Sequence, residues 1–157
     1  MRVLITRPGE DGTALAEVLE ARGIETIIDP LLAIKYIDGP ALDMNGVQAL
    51  LLTSANGVRA LARRTDHRDI PVYAVGDSTA TMARKAGFLQ VHSAAGNVEA
   101  LVGLAKEILN PKDGPLLHIA GSEVAGDLIG LIERAGFECT REVLYEAIAE
   151  RSLKSST

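Results

Sequence analysis

The sequence predicts an α/β protein built on a parallel, doubly wound sheet, and three observations carry that prediction. Strand-like runs alternate with amphipathic helical runs along most of the chain. Runs such as "ALLL" (49–52) and "LLHIA" (116–120) are apolar at consecutive positions, as in parallel strands covered on both faces. Three helix ends share one form, "ARGI" (21–24), "KAGF" (85–88) and "RAGF" (134–137). In each, a basic residue suits the negative end of the helix dipole, glycine supplies a left-handed stop, and an apolar residue re-enters the core.

"RVLIT" (2–6) reads as the first strand, and a helix follows around 10–22 with Leu15, Val18 and Leu19 on one face. "IETIIDP" (24–30) is the next strand, closed by Pro30. "LLAIKYID" (31–38) is extended but more polar, and "GPALDMNG" is rich in turn formers. From there the rhythm is regular. Strand 48–53 leads to helix 56–64, strand 71–76 to helix 78–86, and short strand 90–94 to helix 97–109. Strand 115–121 leads to helix 124–135, and 138–147 is extended.

The 157 residues fit one domain or slightly more, and the 3% aromatic content demands an aliphatic core. No apolar run approaches the roughly 20 residues that span a bilayer, and "MRVLITRP" lacks the long apolar region of a signal peptide. The single cysteine, Cys139, allows no intrachain disulfide and fits a reducing cytoplasm, as a small apolar filler. A net charge of −5 argues against nucleic acid as a partner. The one basic cluster, Arg59, Arg63, Arg64 and Arg68, is interrupted by Asp66 and Asp69 and reads as a solvated helix end.

In a parallel sheet every strand's C-terminal end and the next helix N-terminus lie along one edge. Thr53, Ser54, Ala55 and Asn56 fall there, as do Gly76, Asp77, Ser78 and Thr79, then Gly96 and Asn97, then Gly121 and Ser122. Helix capping accounts for most of these residues individually. Together they form a rim of free N–H groups and hydroxyls, at the edge where open α/β sheets bind ligands. An anionic ligand of this acidic chain would be held by backbone N–H groups and a few placed side chains.

Other chemistries lack their motifs. No G-x-G-x-x-G follows a strand, and no G-x-x-x-x-G-K-[ST] or G-x-S-x-G is present. His67, His92 and His118 have no metal-ligand spacing, so no metal site is expected. His118, inside "LLHIAG", reads as a satisfied strand histidine. A receiver-type phosphoacceptor domain would need an acidic pair after the first strand, where Arg7 and Pro8 stand.

An ordered set of short stretches nevertheless resembles the uroporphyrinogen-III synthase family. It comprises "VLITRP", "LLTSANGV" (51–58), "VYAVGDSTA" (72–80), "AGF" (86–88), "GNVEAL" (96–101), "GDLIGLIERAGF" (126–137) and "VLYEA" (143–147). The resemblance implies a flavodoxin-like doubly wound sheet of the HemD-like kind and a lyase that needs no cofactor. It implies hydroxymethylbilane, a linear tetrapyrrole bearing eight carboxylates, as the small-molecule substrate. The product would be uroporphyrinogen III, closed with inversion of ring D and loss of water, a step of tetrapyrrole and haem biosynthesis. The family's active tyrosine falls on Tyr145, whose phenol, with a reference pKa of about 10, could donate a proton to the leaving hydroxyl. The threonine of V-G-x-x-T-A falls on Thr79 and the serine of T-S on Ser54. Where many bacterial members carry an arginine before the glycine of the fourth strand, this chain has Ala120–Gly121.

Members of that family are longer, with two α/β domains. Against them, residues 1–33 read as an N-terminal βαβ piece of a first domain, 36–145 as a complete second domain, and 146–157 as a tail returning towards the first. A lone βαβ piece leaves strand edges unpaired, so a homodimer is the expected assembly and weak or absent activity the expected behaviour of this chain. Two other readings stay open: a non-catalytic module binding an anionic small molecule, and a dimerising fragment without ligand.

Overall fold

The structure, a computed structural model, describes residues 1–7, 9–123 and 126–149. Its elements are β1 (Arg2–Ile5), α1 (Gly9–Glu20), β2 (Glu25–Ile28), β3 (Leu32–Tyr36), β4 (Ala49–Leu52), α2 (Ala55–Arg64), β5 (Val72–Ala74) and α3 (Asp77–Lys85). Then follow β6 (Val91–Ser93), α4 (Val98–Ile108), a 3-10 turn (Pro111–Asp113), β7 (Leu116–Gly121), α5 (Leu128–Arg134) and β8 (Cys139–Ala149). The chain divides into two compact units, Met1–Lys35 with Glu146–Thr157, and Tyr36–Tyr145.

In the smaller unit β1 and β2 form a parallel pair in the register Arg2 with Glu25 through Ile5 with Ile28. Ile5 and Ala16 are buried there, while Leu4 and Ile28 stay exposed.

The larger unit is a parallel sheet in the order β8-β7-β4-β5-β6. Helices lie on both faces. Leu50, Leu52 and Val72 pack with Val58 and Leu61 of α2 and Ala83 of α3. On the other face Leu51, Tyr73 and Leu116 pack with Leu101 and Ala105 of α4 and Leu128 and Ile132 of α5. The alternation along β4, with all four residues buried, follows directly from covering both faces.

Counted from β4, the strand order is 3-2-1-4-5. The chain therefore crosses the sheet between β6 and β7, and its reversal point lies between β4 and β7. In the flavodoxin order, 2-1-3-4-5, the reversal comes one strand earlier. Either way the doubly wound rule places the ligand crevice beyond the C-terminal ends of the strands at that point.

The repeated helix stops take the geometry that their sequence predicts. Gly23, Gly87 and Gly136 have φ of 78°, 100° and 95°. Ile24, Phe88 and Phe137 each donate a backbone N–H to a carbonyl five residues back, on Leu19, Ala83 and Ile132. An alanine at any of these positions would meet the Cβ penalty of left-handed backbone.

Three sequence expectations are corrected. The helix expected from 124 begins only at Leu128, capped by the Asp127 carboxylate accepting from Gly130 N–H at 3.1 Å. Gly126, at φ 81°, lies in left-handed backbone and breaks the helical run; residues 124 and 125 lie outside the described residues. Ser122 therefore caps no helix. The basic cluster is not a solvated helix end either. Arg64 donates to the carbonyls of Pro40 at 3.0 Å and Ile37 at 2.9 Å. Arg68 donates to those of Ala86 at 2.9 Å and Thr65 at 2.7 Å while lying over the Phe88 ring. These guanidinium groups tie loops to the C-terminal ends of α2 and α3, because their fixed fork satisfies carbonyls that no strand reaches. The third departure is at His118, in the site itself.

Candidate functional site

Beyond the C-terminal ends of β4 and β7, at the reversal point, lies a hollow of about 360 Å³. Thr53, Ser54, Asn97, Gly121 and Tyr145 line it together with Val75, Val98, Ala120 and Glu123. Four of the residues expected on the rim, Thr53, Ser54, Asn97 and Gly121, are thus brought to one place with Tyr145. Ala55 and Asn56 stand in the first turn of α2, where Asn56 accepts from the Arg59 guanidinium at 3.0 Å. Gly76 is the N-cap of α3, and Ser78 opens onto a separate hollow with Asp77, Thr81, Met82 and Lys85. Gly96 is exposed beside Asn97. Ser122 is exposed too and contributes through its backbone, donating N–H to the Tyr145 carbonyl at 2.9 Å. Thr79 is buried in α3 with 6% exposure and outside this hollow, so the expected catalytic part for it lacks a contact with this site.

Two side chains act as helix caps and line the hollow at once. Ser54 Oγ accepts from Gly57 N–H at 3.0 Å at the start of α2. Asn97 Oδ1 accepts from Ala100 N–H at 2.9 Å at the start of α4. The α3 terminus, with glycine as its N-cap, receives no side-chain cap, which leaves its first-turn N–H groups available to a ligand.

Tyr145 reaches Ser54 through two backbone devices. The β7–β8 register runs Ala120 with Val143 and then Gly121 with Tyr145, so Leu144 is an extra residue on β8. That bulge puts Leu144 and Tyr145 on the same side, both packed with the α2/α3 core. Without it strand alternation would send Tyr145 to the opposite face. Gly121 supplies the room. A Cβ there would lie 2.6 Å from Tyr145 Cε2 and 2.8 Å from Cζ. The ring lies across this bare backbone, and its phenol meets Ser54 Oγ at 2.7 Å.

A serine hydroxyl has one proton and two lone pairs, and Gly57 N–H already occupies one lone pair. Between them Ser54 and Tyr145 use one proton on each other, and the pair retains one to donate elsewhere. Replacing Ser54 with alanine should cost about 1 kcal/mol through the lost cap, whereas Ser54→Asp, another good N-cap, should recover most of it. Urea unfolding of the two variants checks this. Equal losses would show that the cap contributes nothing.

His118 stands on the α4/α5 side of β7 with 1% exposure, its Nε2 lying 3.4 Å from Thr53 Oγ1. Its Nδ1 is buried without a hydrogen-bond partner among the described residues, so the satisfied strand histidine expected from the sequence is only half satisfied. Burial, and then the positive charge of Arg141, push its pKa down to about 4. The ring is neutral at neutral pH. Cys139, beside it on β8, has its thiol pushed up to about 11 by burial, which makes it an inert filler.

Val75, Val98 and Glu123 were not singled out in the sequence, and Ala120 was noted only as standing where many members of the family carry an arginine. The apolar three carry no chemical signal. Glu123, the one charged residue of the lining among the described residues, follows directly on "AGS", and its position after a rim strand was the only available clue. Among the described residues no His, Cys, Asp and Glu cluster could hold a metal ion, and no helix is long and apolar enough to cross a membrane.

Residues 13–157 match the sequence model of the family described as uroporphyrinogen-III synthase HemD. None of the curated proteins gives a significant match. Among solved structures, uroporphyrinogen-III synthetase from Helicobacter pylori 26695 superposes with a TM-score of 0.62 at 22% identity, over 84% of this chain and 59% of that one. A mutant uroporphyrinogen III synthase from the extremely thermophilic bacterium Thermus thermophilus gives 0.61 at 17% identity, over 96% of this chain and 64% of that one. At such identities the likeness is one of fold. The chain spans about three fifths of the length of either structure.

Proposed function

The chain belongs to the uroporphyrinogen-III synthase family, and from that premise we propose that its Tyr36–Tyr145 unit carries part of a site for hydroxymethylbilane. The reaction is closure of this linear tetrapyrrole to uroporphyrinogen III, with inversion of ring D and loss of water. The observation that carries the reading is the phenol of Tyr145, held at 2.7 Å by a helix-capping serine over a ligand-sized hollow at the sheet's reversal point.

In this reading Tyr145 is the general acid. It gives its proton to the departing hydroxyl, which leaves as water, and the phenolate recovers a proton when the closed ring loses one. Ser54 steadies the oxygen from behind. Among the described residues the lining holds no cation, and its only charge is Glu123. Substrate carboxylates are therefore met by hydroxyls and by N–H groups at the starts of α2, α3 and α4, helped by the positive ends of those helices. Much of the remaining work is conformational, folding the substrate so that ring D attacks through its substituted carbon. The chain spans only 59% and 64% of the two solved enzymes, and the 157 residues alone are proposed to turn over weakly at most.

The test couples the protein to an enzyme that generates hydroxymethylbilane and separates the oxidised porphyrin isomers. Type III product above the protein-free control supports the reading, and type I product alone overturns it for this chain. In a form that does turn over, Tyr145→Phe should lower kcat roughly a hundredfold with little change in affinity. Equal losses in kcat and affinity would instead favour a binding module, which has no use for a proton donor at that position.

A further inference from the structure

Outside the Tyr145–Ser54 couple, the proposed chemistry leaves unused His118, the most deeply buried polar residue among those described. A neutral imidazole carries one N–H, on either Nδ1 or Nε2. If the proton were on Nδ1, a donor would be buried with nothing to receive it, since Nδ1 has no partner among the described residues. If it is on Nε2, the N–H has Thr53 Oγ1 at 3.4 Å as acceptor, and only a lone pair is left unpaired. An imidazolium would bury both a second N–H and a charge in a position with 1% exposure. The Nε2–H form is the least costly of the three.

Its consequence falls on Thr53. Once Oγ1 accepts from His118, the Thr53 proton has no use on the imidazole, and the Thr53 hydroxyl makes no other hydrogen bond among the described residues. Thr53 lines the hollow, so its proton is left for whatever occupies that space. Ser54, the next residue, has an acceptor site filled in the same way by Gly57 N–H. The end of β4 thus presents two neighbouring hydroxyls, each occupied from behind by a donor belonging to the fold.

We propose that His118 is a positioning residue that makes Thr53 a one-way hydrogen-bond donor into the hollow, and so selects ligand groups that accept there, such as a carboxylate oxygen. The inference deepens the functional reading above and rests on it for the identity of the ligand, whereas the tautomer and its coupling to Thr53 stand apart from that reading.

Two measurements test it. Long-range 1H–15N correlation spectra of the 15N-labelled protein at neutral pH report the His118 tautomer. The expected result is a single Nε2–H form that loses its uniformity in Thr53→Val, an isosteric change that removes the acceptor. An Nδ1–H form, an imidazolium, or a tautomer indifferent to Thr53→Val overturns the proposal. The second measurement titrates uroporphyrin, a stable octacarboxylate porphyrin, by fluorescence. Thr53→Val and His118→Leu should each weaken binding by about fivefold to tenfold, the value of one net hydrogen bond. His118→Gln, which retains an N–H donor near the Nε2 position, should recover most of the loss. The double variant should bind no worse than Thr53→Val alone, because His118 acts only through Thr53. Losses that multiply, or a His118→Leu protein with unchanged affinity, would assign His118 to packing and overturn the proposal. Wild-type protein that fails to bind uroporphyrin would count against the functional reading instead, and the spectra would then decide the role of His118.

Discussion

Replacing Gly121 with alanine is expected to break the Tyr145–Ser54 hydrogen bond and to cost about 1–3 kcal/mol of stability, the usual range for overpacking a filled site. The added Cβ would stand 2.6 Å from Cε2, 2.8 Å from Cζ and 3.2 Å from Cδ2 of Tyr145. These are atoms of a rigid ring, so no rotamer of a flexible tip relieves the contact. Relief by separating the strands is opposed by the Ser122 N–H to Tyr145 carbonyl bond at 2.9 Å. The ring must swing, and its phenol leaves Ser54. In a form that turns over, Gly121→Ala should therefore lose as much activity as Tyr145→Phe, and the double variant should lose no more. Tyr145→Phe alone keeps the ring packed and should unfold close to wild type. Denaturant unfolding and the isomer assay on the three variants decide the matter. A Gly121→Ala protein matching wild type in both would mean that the ring does not depend on the bare backbone beneath it.

The second large effect is one of pH. His118 is held near pKa 4 in the folded chain, against about 6.5 when exposed. Above pH 6.5 the ring is neutral in both states and the folded protein has its full stability. Between pH 6.5 and 4 the unfolded chain takes up a proton that the buried ring refuses, and stability is lost. Below about pH 4 both states are protonated and this contribution changes no further. The total is about 3 kcal/mol, from 1.36 kcal/mol for each pH unit between the two values. His118→Leu removes the titrating group. The difference between wild-type and variant unfolding free energies should shift by that amount across the window, and carboxylates common to both cancel. A difference independent of pH would show that the imidazole titrates normally and is not buried as described.

Both predictions concern features that no reading of the sequence supplied. The bulge at Leu144 is invisible in "VLYEA", because strand alternation is blind to an unpaired residue until the partner strand is in place. The need for glycine at 121 likewise comes from a ring 24 positions later in the chain lying over it. Asp127 displaced the start of α5 for a reason that was legible: Gly126 stands immediately before it and is a poor helical residue. The arginines read as solvated because the carbonyls they hold, on Ile37, Pro40 and Ala86, lie in segments distant in sequence.

By itself the sequence determined whatever depends on neighbours within a few residues. The helix stops at Gly23, Gly87 and Gly136, the caps at Ser54 and Asn97, the doubly covered strands and their parallel arrangement all follow from local propensity and hydrophobic period. So does the location of a polar rim at the strand ends. Only the tertiary structure decided which members of that rim meet. It set Thr53, Ser54, Asn97, Gly121 and Tyr145 around one hollow, kept Thr79 out of its lining, and left His118 with one ring nitrogen unpaired among the described residues. The physical reason is that a helix cap or a strand period is satisfied by residues a few positions away. A shared cavity depends on strand order, register and the space one backbone leaves for another's side chain, and none of these is encoded in a single short stretch.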